Sequence, residues 1–453
     1  MAEVLAKLKD CISISDGKVQ VKNGDAVRGL MDDLIHDAVF NPDEEKRKGL
    51  QRLVIEIAKQ MGAVPASIQS LYEEMGKNYP GFTVPAINIR GLTYDTAKVI
   101  FKKAMGKNVS AMIFEIARSE IGYTKQRPVE YSAAVLAAAV KEGFTGPVFI
   151  QGDHFQTVRK YFLDNPKLEM DYVKGLIKEA VDAEFYNIDL DTSTLVNLDK
   201  DSLKEEQRPN FETAVELSTY IREIEPEGVT VSIGGEIGEI GGKNSTSEEL
   251  RAYLDGFNET MKAGKGVSKL SVQSGTSHGG VVLPDGSLAQ VKIDFETLRE
   301  MSEVARKEYG LSGAVQHGAS TLPDEAFHHF PETGTSEVHL ATGFQNIMFD
   351  SPALPAEFKE MVYNHIKENF GNEQKEGQTD DQFFYKTRKK GFGLIKQKWW
   401  DLPADVKGPI MQELSDKFEL LFNELKVNGS KDIVDRTVKP VIVEKEVPDN
   451  ILA

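Results

Sequence analysis

The pattern that predicts the fold is an apolar run that ends in an aspartate and a histidine, as in Val148-Phe-Ile-Gln-Gly-Asp-His154. Two later apolar runs are also followed by a histidine, in Leu270-Ser-Val-Gln-Ser-Gly-Thr-Ser-His278 and Ala314-Val-Gln-His317. Between them, acidic residues close Asn187-Ile-Asp189 and Val231-Ser-Ile-Gly-Gly-Glu236. Neighbouring members of this series lie about 35 to 47 residues apart, about one strand–helix unit each. The pattern predicts parallel strands whose carboxyl ends meet at one mouth.

From residue 84 onward, short β-branched or apolar runs alternate with helical stretches. The predicted strands are Val84–Ile89, Ala111–Glu115, Val148–Gln151, Phe185–Leu190, Val229–Ile233, Leu270–Gln273, Gly313–Gln316 and Val338–Thr342. Eight strands over about 259 residues match the ~250 residues typical of a (β/α)8 barrel. The predicted fold class is therefore α/β, a (β/α)8 TIM barrel with N-terminal and C-terminal helical extensions.

We divide the chain into three regions. Residues 1–80 are predicted to form an N-terminal helical extension, residues 81–355 the catalytic barrel, and residues 356–453 a C-terminal helical extension and tail. Helical periodicity over Ala26–Val39 and Glu44–Met61 supports the first region. In the barrel, the capping box at Thr246 and Glu249, and the N-cap at Asp294 of a helix that Gly310 ends, mark two of the helices.

An apolar stripe runs along a predicted helix of the C-terminal region, Ile410–Val427. Its members are Met411, Leu414, Phe418, Leu421 and Leu425. Such a stripe more often packs in a core or against another subunit than it holds a cofactor. It is one reason to expect a homo-oligomer, either a dimer or a tetramer.

Composition narrows the class of protein. The chain has 453 residues and a net charge of -17, with 40% hydrophobic and 28% charged residues. The negative charge argues against nucleic acid and anionic membranes as partners, and no apolar run approaches the ~20 residues that span a bilayer. Cys11, the only cysteine, excludes an internal disulfide framework and a cysteine-based metal site. Without a basic and then apolar leader, we expect a cytoplasmic location.

Three histidines, His154, His278 and His317, follow strands that end at the same mouth. A single histidine there is more often a structural hydrogen-bonding residue, but three together favour a shared metal. Three protein ligands and an open fourth position describe a catalytic zinc site. We predict a metal-assisted enzyme that uses Zn²⁺, with another divalent metal and an accompanying monovalent cation as open alternatives.

Carboxylates stand beside these histidines. Asp153 is either a general acid/base next to the metal or a residue that orients a metal ligand, and both roles stay open. Asp189 and Glu236 lie at the next two strand ends, where they hold a second or alternative metal position or only cap loops. The sequence leaves that choice undecided.

Glycine-rich turns mark places where a phosphate could bind. Gly275-Thr-Ser-His-Gly-Gly280 and His317-Gly-Ala-Ser320 leave backbone N–H groups exposed. Such nests bind anions without side-chain charge, and phosphate sites cluster after the late strands of barrels. The expected partner is a phosphorylated small molecule.

These motifs resemble those of the class II, zinc-dependent fructose-bisphosphate aldolase superfamily. The segments that carry the resemblance are Val84-Pro-Ala-Ile-Asn-Ile89, Gly152-Asp-His154, Ile188-Asp189, Gly235-Glu-Ile-Gly-Glu-Ile-Gly-Gly242, Gly275-Thr-Ser-His-Gly279 followed by Ile293-Asp-Phe-Glu-Thr-Leu298, and Gln316-His-Gly-Ala-Ser320. Their order and spacing match over about residues 82 to 350. The resemblance implies reversible aldol cleavage of a phosphorylated ketose, with fructose 1,6-bisphosphate, which gives dihydroxyacetone phosphate and glyceraldehyde 3-phosphate, as the first choice.

The resemblance also implies roles for individual residues. Zinc would bind His154, His278 and His317, and Asp153 would move a proton at the C4 hydroxyl of the sugar. Asp189 and Glu236 would mark the alternate metal position of the family. Gly279, Gly318 and Ser320 would hold the dihydroxyacetone phosphate end, and Asn88 would face the substrate. Ser277 would be a further substrate- or phosphate-binding residue.

The chain departs from the family at the eighth strand. The family usually has an asparagine that steadies the enediolate, and an aspartate two residues later; His339 and Ala341 stand here. We expect His339 either to take over the hydrogen bond of the asparagine or to signal a different substrate. Two glutamates, Glu239 and Glu248, are candidates for the base that the family carries on a mobile loop.

Two alternatives remain open. Tagatose-bisphosphate aldolases have a larger, non-catalytic, chaperone-like subunit of similar length, of which Gly152-Asp-His154 and Glu115 are loosely reminiscent. The full set of three histidines argues against that reading. A related lyase that acts on another phosphosugar is the other alternative, and the altered eighth strand is its main support.

Overall fold

Eight parallel strands close into a barrel in this computed structural model, which describes residues 2–238, 243–275 and 293–452. The described residues form the strands β1 (Ile12–Ser15), β2 (Lys18–Val21), β3 (Ala63–Ala66), β4 (Val84–Asn88), β5 (Ile113–Ala117), β6 (Gly146–Gln156), β7 (Asn187–Asp191), β8 (Ser232–Glu236), β9 (Lys269–Val272), β10 (Ala314–Gln316) and β11 (Glu337–Leu340). The barrel consists of β4 to β11. The strand order around the barrel is β6-β5-β4-β11-β10-β9-β8-β7, and β7 pairs back with β6. Each predicted strand overlaps one of these eight, which confirms the (β/α)8 fold.

Helices surround the barrel and extend it at both ends. They are α1 (Ala2–Cys11), α2 (Gly24–Phe40), α3 (Glu44–Gln60), α4 (Gln69–Lys77), α5 (Thr93–Gly106), α6 (Arg118–Tyr123), α7 (Pro128–Glu142), α8 (Arg159–Asp164), α9 (Pro166–Asp182), α10 (Leu203–Ile224), α11 (Ser247–Thr260), α12 (Phe295–Tyr309), α13 (His329–Glu332), α14 (Thr342–Asp350), α15 (Ala356–Phe370), α16 (Asp380–Thr387), α17 (Gly391–Leu394), α18 (Lys396–Trp400), α19 (Ala404–Glu424) and α20 (Lys431–Thr437). Short 3₁₀ turns cover Ser193–Leu195, Ala319–Thr321, Asp324–Ala326, Gly371–Glu373 and Arg388–Lys390. Within the described residues, no helix combines the length and apolar character needed to cross a bilayer.

The predicted helix ends are present. Thr246 accepts a hydrogen bond from the backbone N–H of Glu249, and the carboxylate of Glu249 accepts one from the backbone N–H of Thr246. Asp294 accepts from two backbone N–H groups at the start of α12. Gly310 ends that helix with φ +70°, in the left-handed region that glycine adopts without a steric penalty.

The N-terminal region contributes strand as well as helix, which the prediction of a helical extension missed. β1 and β2 form an antiparallel hairpin. β3 pairs in parallel with the first half of β6, whereas β7 pairs with the second half. Asn187 of β7 links β3 to β6. Its amide nitrogen donates to the carbonyls of Ala66 and Ile150, and its oxygen accepts from the N–H of Ile68. β3 escaped prediction because it has only four residues, one of them proline.

The apolar stripe of the C-terminal region lies in the core. Leu414, Phe418, Leu421 and Leu425 are at most 1% exposed, and the helix that carries most of them, α19, packs on α5 and α14. Met411 is only partly buried. The stripe therefore joins the extension to the barrel.

The C-terminal extension also reaches the mouth of the barrel. A side chain on Gly393, in α17, would collide with the backbone of Tyr123 and Thr124, and one on Gly91 would collide with the ring of Phe392. Both close approaches bring the extension against loops that follow β4 and β5. The extension thereby becomes part of the wall around the site.

Replacing Phe418 with alanine tests the assignment of the stripe to the core. The ring of Phe418 lies 4.9 Å from that of Phe344, centroid to centroid, and its loss leaves a cavity. We expect the free energy of unfolding to fall by about 3–5 kcal/mol in chemical denaturation. Met411→Ala, on the same helix, is the control and should cost clearly less. Equal losses from the two variants would contradict the assignment.

Candidate active site

A cleft of about 750 Å³ opens at the carboxyl ends of the barrel strands. The site residues predicted from the sequence that line it are Asn88, Asp153, His154, Glu236, His317, Gly318, Ser320 and His339. Asp189 lies beneath the cleft. His278, Ser277 and Gly279 lie outside the described residues, as does Glu239. The other candidate for the loop base, Glu248, is exposed in the first turn of α11.

A β-bulge places His154. The pairing of β6 with β7 shifts register between Gly152 and Phe155, and His154 adopts φ +42°, which is strained for a residue with a side chain. A side chain at Gly152 would collide with the ring of Phe155. Strained backbone of this kind clusters at functional sites, where the surrounding structure enforces it.

Two carboxylates flank the inner edge of the His154 ring. Nδ1 lies 3.1 Å from Oε2 of Glu236 and 3.4 Å from Oδ2 of Asp191. Burial opposes charge on this imidazole, but Asp153 and Glu236 raise the pKa of His154 well above its usual value. Burial and the nearby Asp191 raise the pKa of Glu236 to about 7. A metal that bound here would have to displace these protons.

The rings of three histidines lie one against the next across the mouth. The centroids of His154 and His317 are 4.1 Å apart, and those of His317 and His339 are 3.9 Å apart. Nε2 of His317 lies 2.8 Å from Oγ of Ser271. Ligand atoms of Asp153, His154 and His317 fall within 4.8 Å of one another. Two imidazoles and a carboxylate this close are a donor set that fits zinc and similar divalent metals.

A buried lysine stands under the mouth. Nζ of Lys269 lies 2.9 Å from Oδ1 of Asp189 and 2.5 Å from Oε1 of Glu337, and it donates to Oε1 of Gln151. Gly234 lies between Asp189 and Lys269 in the sheet register, and a side chain there would collide with both. Asp189 therefore already has a cationic partner. Its ligand atoms group with those of Asp153 and His339, whereas Asp191 groups with His154 and Glu236.

His339 lies among four carboxylates. Its Nδ1 is 3.0 Å from Oε2 of Glu115 and 3.3 Å from Oδ1 of Asp153. Its Nε2 is 2.7 Å from Oε1 of Glu337 and 3.5 Å from Oδ2 of Asp189. These groups make a continuous layer of charge at the floor of the cleft, which Glu115, Asp153 and His339 line.

The layer shifts the acidity of its carboxyl groups in opposite directions. Burial and the charge of Asp153 raise the pKa of Glu115 to about 8. Burial raises the pKa of Asp189 to about 6, against the pull of Lys269. Burial alone would raise the pKa of Glu337 too, but Lys269 and His339 hold it below its usual range. Glu337 is therefore the firmly ionised member of the layer.

Sequence reasoning missed several residues of the layer. Glu115 is the middle residue of β5, Asp191 follows Asp189 by two, and Glu337 precedes His339 by two. Residues two apart on a strand face the same side. That spacing was the available signal for Asp191 and Glu337. Lys269 gave none, because a lysine at the start of a strand is usually solvated.

Among the described residues, three basic side chains reach the upper cleft. Arg90 pairs with Glu120, whose other oxygen accepts from Asn88, and Arg118 pairs with Glu169. Lys389, in a 3₁₀ turn of the C-terminal extension, also lines the cleft. Within the described residues, Lys389 makes no ion pair within 4.0 Å, and burial lowers its pKa. It is a partly buried cation placed to meet an anion.

A family model described as fructose-bisphosphate aldolase class-II matches residues 70–390, more than half of the chain. The chain belongs to the class II fructose-bisphosphate aldolase family. That membership accounts for the order of the motifs around the barrel and confirms the resemblance read from the sequence.

Solved structures are similar to the chain at low sequence identity. A probable tagatose 6 phosphate kinase from Sinorhizobium meliloti 1021 is 14% identical, with a TM-score of 0.50 over 82% of this chain and 96% of that one. Fructose-bisphosphate aldolase from Campylobacter jejuni is 16% identical, with a TM-score of 0.47 over 81% and 97%. No curated protein sequence matches the chain.

Lys269→Met tests the charge layer. Without the ammonium, Asp189 and Glu337 become buried carboxylates with one cation fewer, and we expect the free energy of unfolding to fall by about 3–5 kcal/mol near neutral pH. The loss should shrink on acidification, because a protonated carboxyl needs no counter-charge. Denaturation at several pH values measures both.

The control is Lys265→Met, four residues earlier in the chain. Nζ of Lys265 pairs with Glu73 at 3.1 Å on the surface, where an ion pair contributes about 0–1 kcal/mol. Similar losses from the two lysine variants would contradict the assigned role of Lys269.

Proposed function

We propose that the protein is a metal-dependent class II aldolase that cleaves a phosphorylated ketose reversibly. The first substrate to test is fructose 1,6-bisphosphate, which would give dihydroxyacetone phosphate and glyceraldehyde 3-phosphate. The observation that supports this most is the grouping of His154, His317 and Asp153 at the barrel mouth of a chain that belongs to this family. The proposal keeps the expected cytoplasmic location and homo-oligomeric state.

His154, His317 and His278 are the proposed metal ligands. When bound there, zinc or another divalent metal would polarise the ketose carbonyl and stabilise the negative charge of the enediolate. Glu236 and Asp191 lie against Nδ1 of His154, so they orient the ring and leave Nε2 directed toward Asp153, at 3.7 Å.

Asp153 is the proposed proton acceptor for the C4 hydroxyl. Its carboxylate is buried at the floor of the cleft, and Nδ2 of Asn88 donates to Oδ2 across 3.5 Å. Glu120 accepts from the same amide at 2.6 Å and so fixes its direction. A carboxylate held in this way keeps its position while a substrate proton moves to it.

The phosphate of the dihydroxyacetone end is assigned to the turn after β10. Gly318 has φ +70° there, and the 3₁₀ turn that follows it contains Ser320. Gly343 approaches the backbone of Ser320 so closely that a side chain would not fit. The turn offers backbone N–H groups and a hydroxyl to an anion. Ser277 and Gly279 belong to the same proposed phosphate site.

The other phosphate of a bisphosphate substrate is assigned to Lys389. Arg90 and Arg118 already pair with carboxylates, so Lys389 is the cation of the upper cleft with charge to offer. Its place in the C-terminal extension gives that extension a role in binding the substrate.

His339 supports one alternative. The residue fills the position of the asparagine that steadies the enediolate in the family, and it sits in a charge layer with Glu115, Asp189 and Glu337. This altered floor of the cleft supports a related lyase that acts on another phosphosugar. The non-catalytic subunit of a tagatose-bisphosphate aldolase is the remaining alternative, and an activity assay separates the three.

The proposed activity predicts that cleavage depends on metal. Triose phosphate release from fructose 1,6-bisphosphate should stop with a chelator and return with zinc. His317→Ala and His278→Ala should each remove most of the metal and of the rate, while circular dichroism stays unchanged. Folded, zinc-loaded protein that does not cleave this substrate would contradict the substrate, and normal metal content in both variants would contradict the site.

Replacing Lys389 tests the second phosphate site. Lys389→Met should raise KM for a bisphosphate about tenfold or more, with a smaller change in kcat, because it removes binding far from the reacting bond. Lys390→Met is the matched control, since Lys390 pairs with Glu373 at 2.5 Å and does not line the cleft. Equal KM values in the wild type and Lys389→Met would rule out the assignment.

A further inference from the structure

The two nitrogens of His339 face different surroundings. On the Nε2 side, Glu337 and Asp189 share the ammonium of Lys269. On the Nδ1 side stand Glu115 and Asp153, with no ammonium or guanidinium of the described residues within 4.0 Å of Glu115. Glu115 is fully buried, and its Oε1 has no hydrogen-bond partner in the described part of the chain. A carboxylate in that position needs a cation or a proton.

Two carboxylate oxygens approach Nδ1 of His339 closely. Oε2 of Glu115 and Oδ1 of Asp153 lie 3.0 and 3.3 Å from Nδ1 of His339, yet within the described residues this nitrogen has no partner in hydrogen-bond geometry. Two ligands at about 2.0–2.2 Å from a tetrahedral metal are about 3.3–3.6 Å apart. The contact to Asp153 lies in this range, and the contact to Glu115 is slightly shorter.

Asp153 lies between this group and the first metal position. Its Oδ1 is 3.3 Å from Nδ1 of His339 and 3.7 Å from Nε2 of His154. The ring of His317 stands between the other two histidine rings, about 4 Å from each, centroid to centroid. Centres with two metals have this arrangement, since a carboxylate spans ions about 3.5–4 Å apart.

We propose that Nδ1 of His339, Glu115 and Asp153 bind a second divalent cation beside the one assigned to His154 and His317. Mixed imidazole and carboxylate donors suit zinc, manganese or cobalt. Glu337, which is held by Lys269 and by the hydroxyl of Tyr72, lies against Nε2 and keeps the ring turned toward Glu115. The site goes beyond the proposed function and does not depend on which sugar is cleaved.

A second cation would also explain the eighth strand. An asparagine at position 339 could offer a substrate oxygen a neutral hydrogen bond, whereas a histidine among carboxylates can hold a positive ion at the same depth in the cleft. Two ions there would stabilise charge on two neighbouring oxygens of a substrate at once. Glu115 on β5 and His339 on β11 would hold that ion together.

Metal content measures the proposal directly. Protein stripped with a chelator, reloaded with Mn²⁺ and desalted should carry two ions per chain by elemental analysis. His339→Asn should carry one, and His317→Ala should keep one at the second site. His329→Asn, in a half-exposed cluster with His328 and Glu332, is the matched control and should still carry two.

Electron paramagnetic resonance gives a second readout. Two manganese ions that share Asp153 should give an exchange-coupled spectrum in the wild type and a mononuclear one in His339→Asn. If His339→Asn fails to fold, Glu115→Gln, which keeps the side-chain volume, decides in its place. One ion per chain that His339→Asn retains and His317→Ala loses would overturn the second site and leave the proposed function standing. No ion in any variant would overturn both.

Discussion

The ion pairs of Lys269 are the constraint on which the barrel floor depends. One ammonium joins carboxylates from β7 and β11 and an amide from β6, while Lys269 itself belongs to β9. Four of the eight strands thus meet at one buried charge. Gly234 on β8 makes this possible, because any side chain there would occupy the space between Lys269 and Asp189. The chemistry of the mouth rests on this layer, since His339 contacts the same carboxylates from above.

Above that floor, the geometry of the site comes from the strands and from the residues that directly follow them. The bulge in β6 turns His154 toward Glu236 and Asp191, and the closure of the barrel brings the ring of His317 against that of His154 and the ring of His339 against that of His317. Elements of the sheet move little, so these donors are held in place before any ligand arrives. The upper cleft differs, because part of its wall comes from the C-terminal extension.

The sequence predicted the barrel and most of the mouth but not its floor. Strand ends that carry histidine or acid recur with a regular period, so the position of His154, His317, Asp153 and Glu236 at the mouth could be predicted from spacing alone. Lys269 and Glu115 could not, because their importance lies in contacts between strands that are distant in the chain, and Glu337 was missed although its spacing of two residues from His339 was a signal. β3 was missed because four residues show no period.

The strand β3 has a consequence for where the barrel begins. It fills the lower edge of β6, and Asn187 of β7 makes hydrogen bonds to Ala66, Ile68 and Ile150. A polypeptide that started at residue 81 would keep all eight strands of the ring and still lose two of those three partners. It would leave a buried amide unsatisfied and a strand edge open to pairing with another chain. The smallest self-sufficient barrel therefore includes residues that precede its first strand.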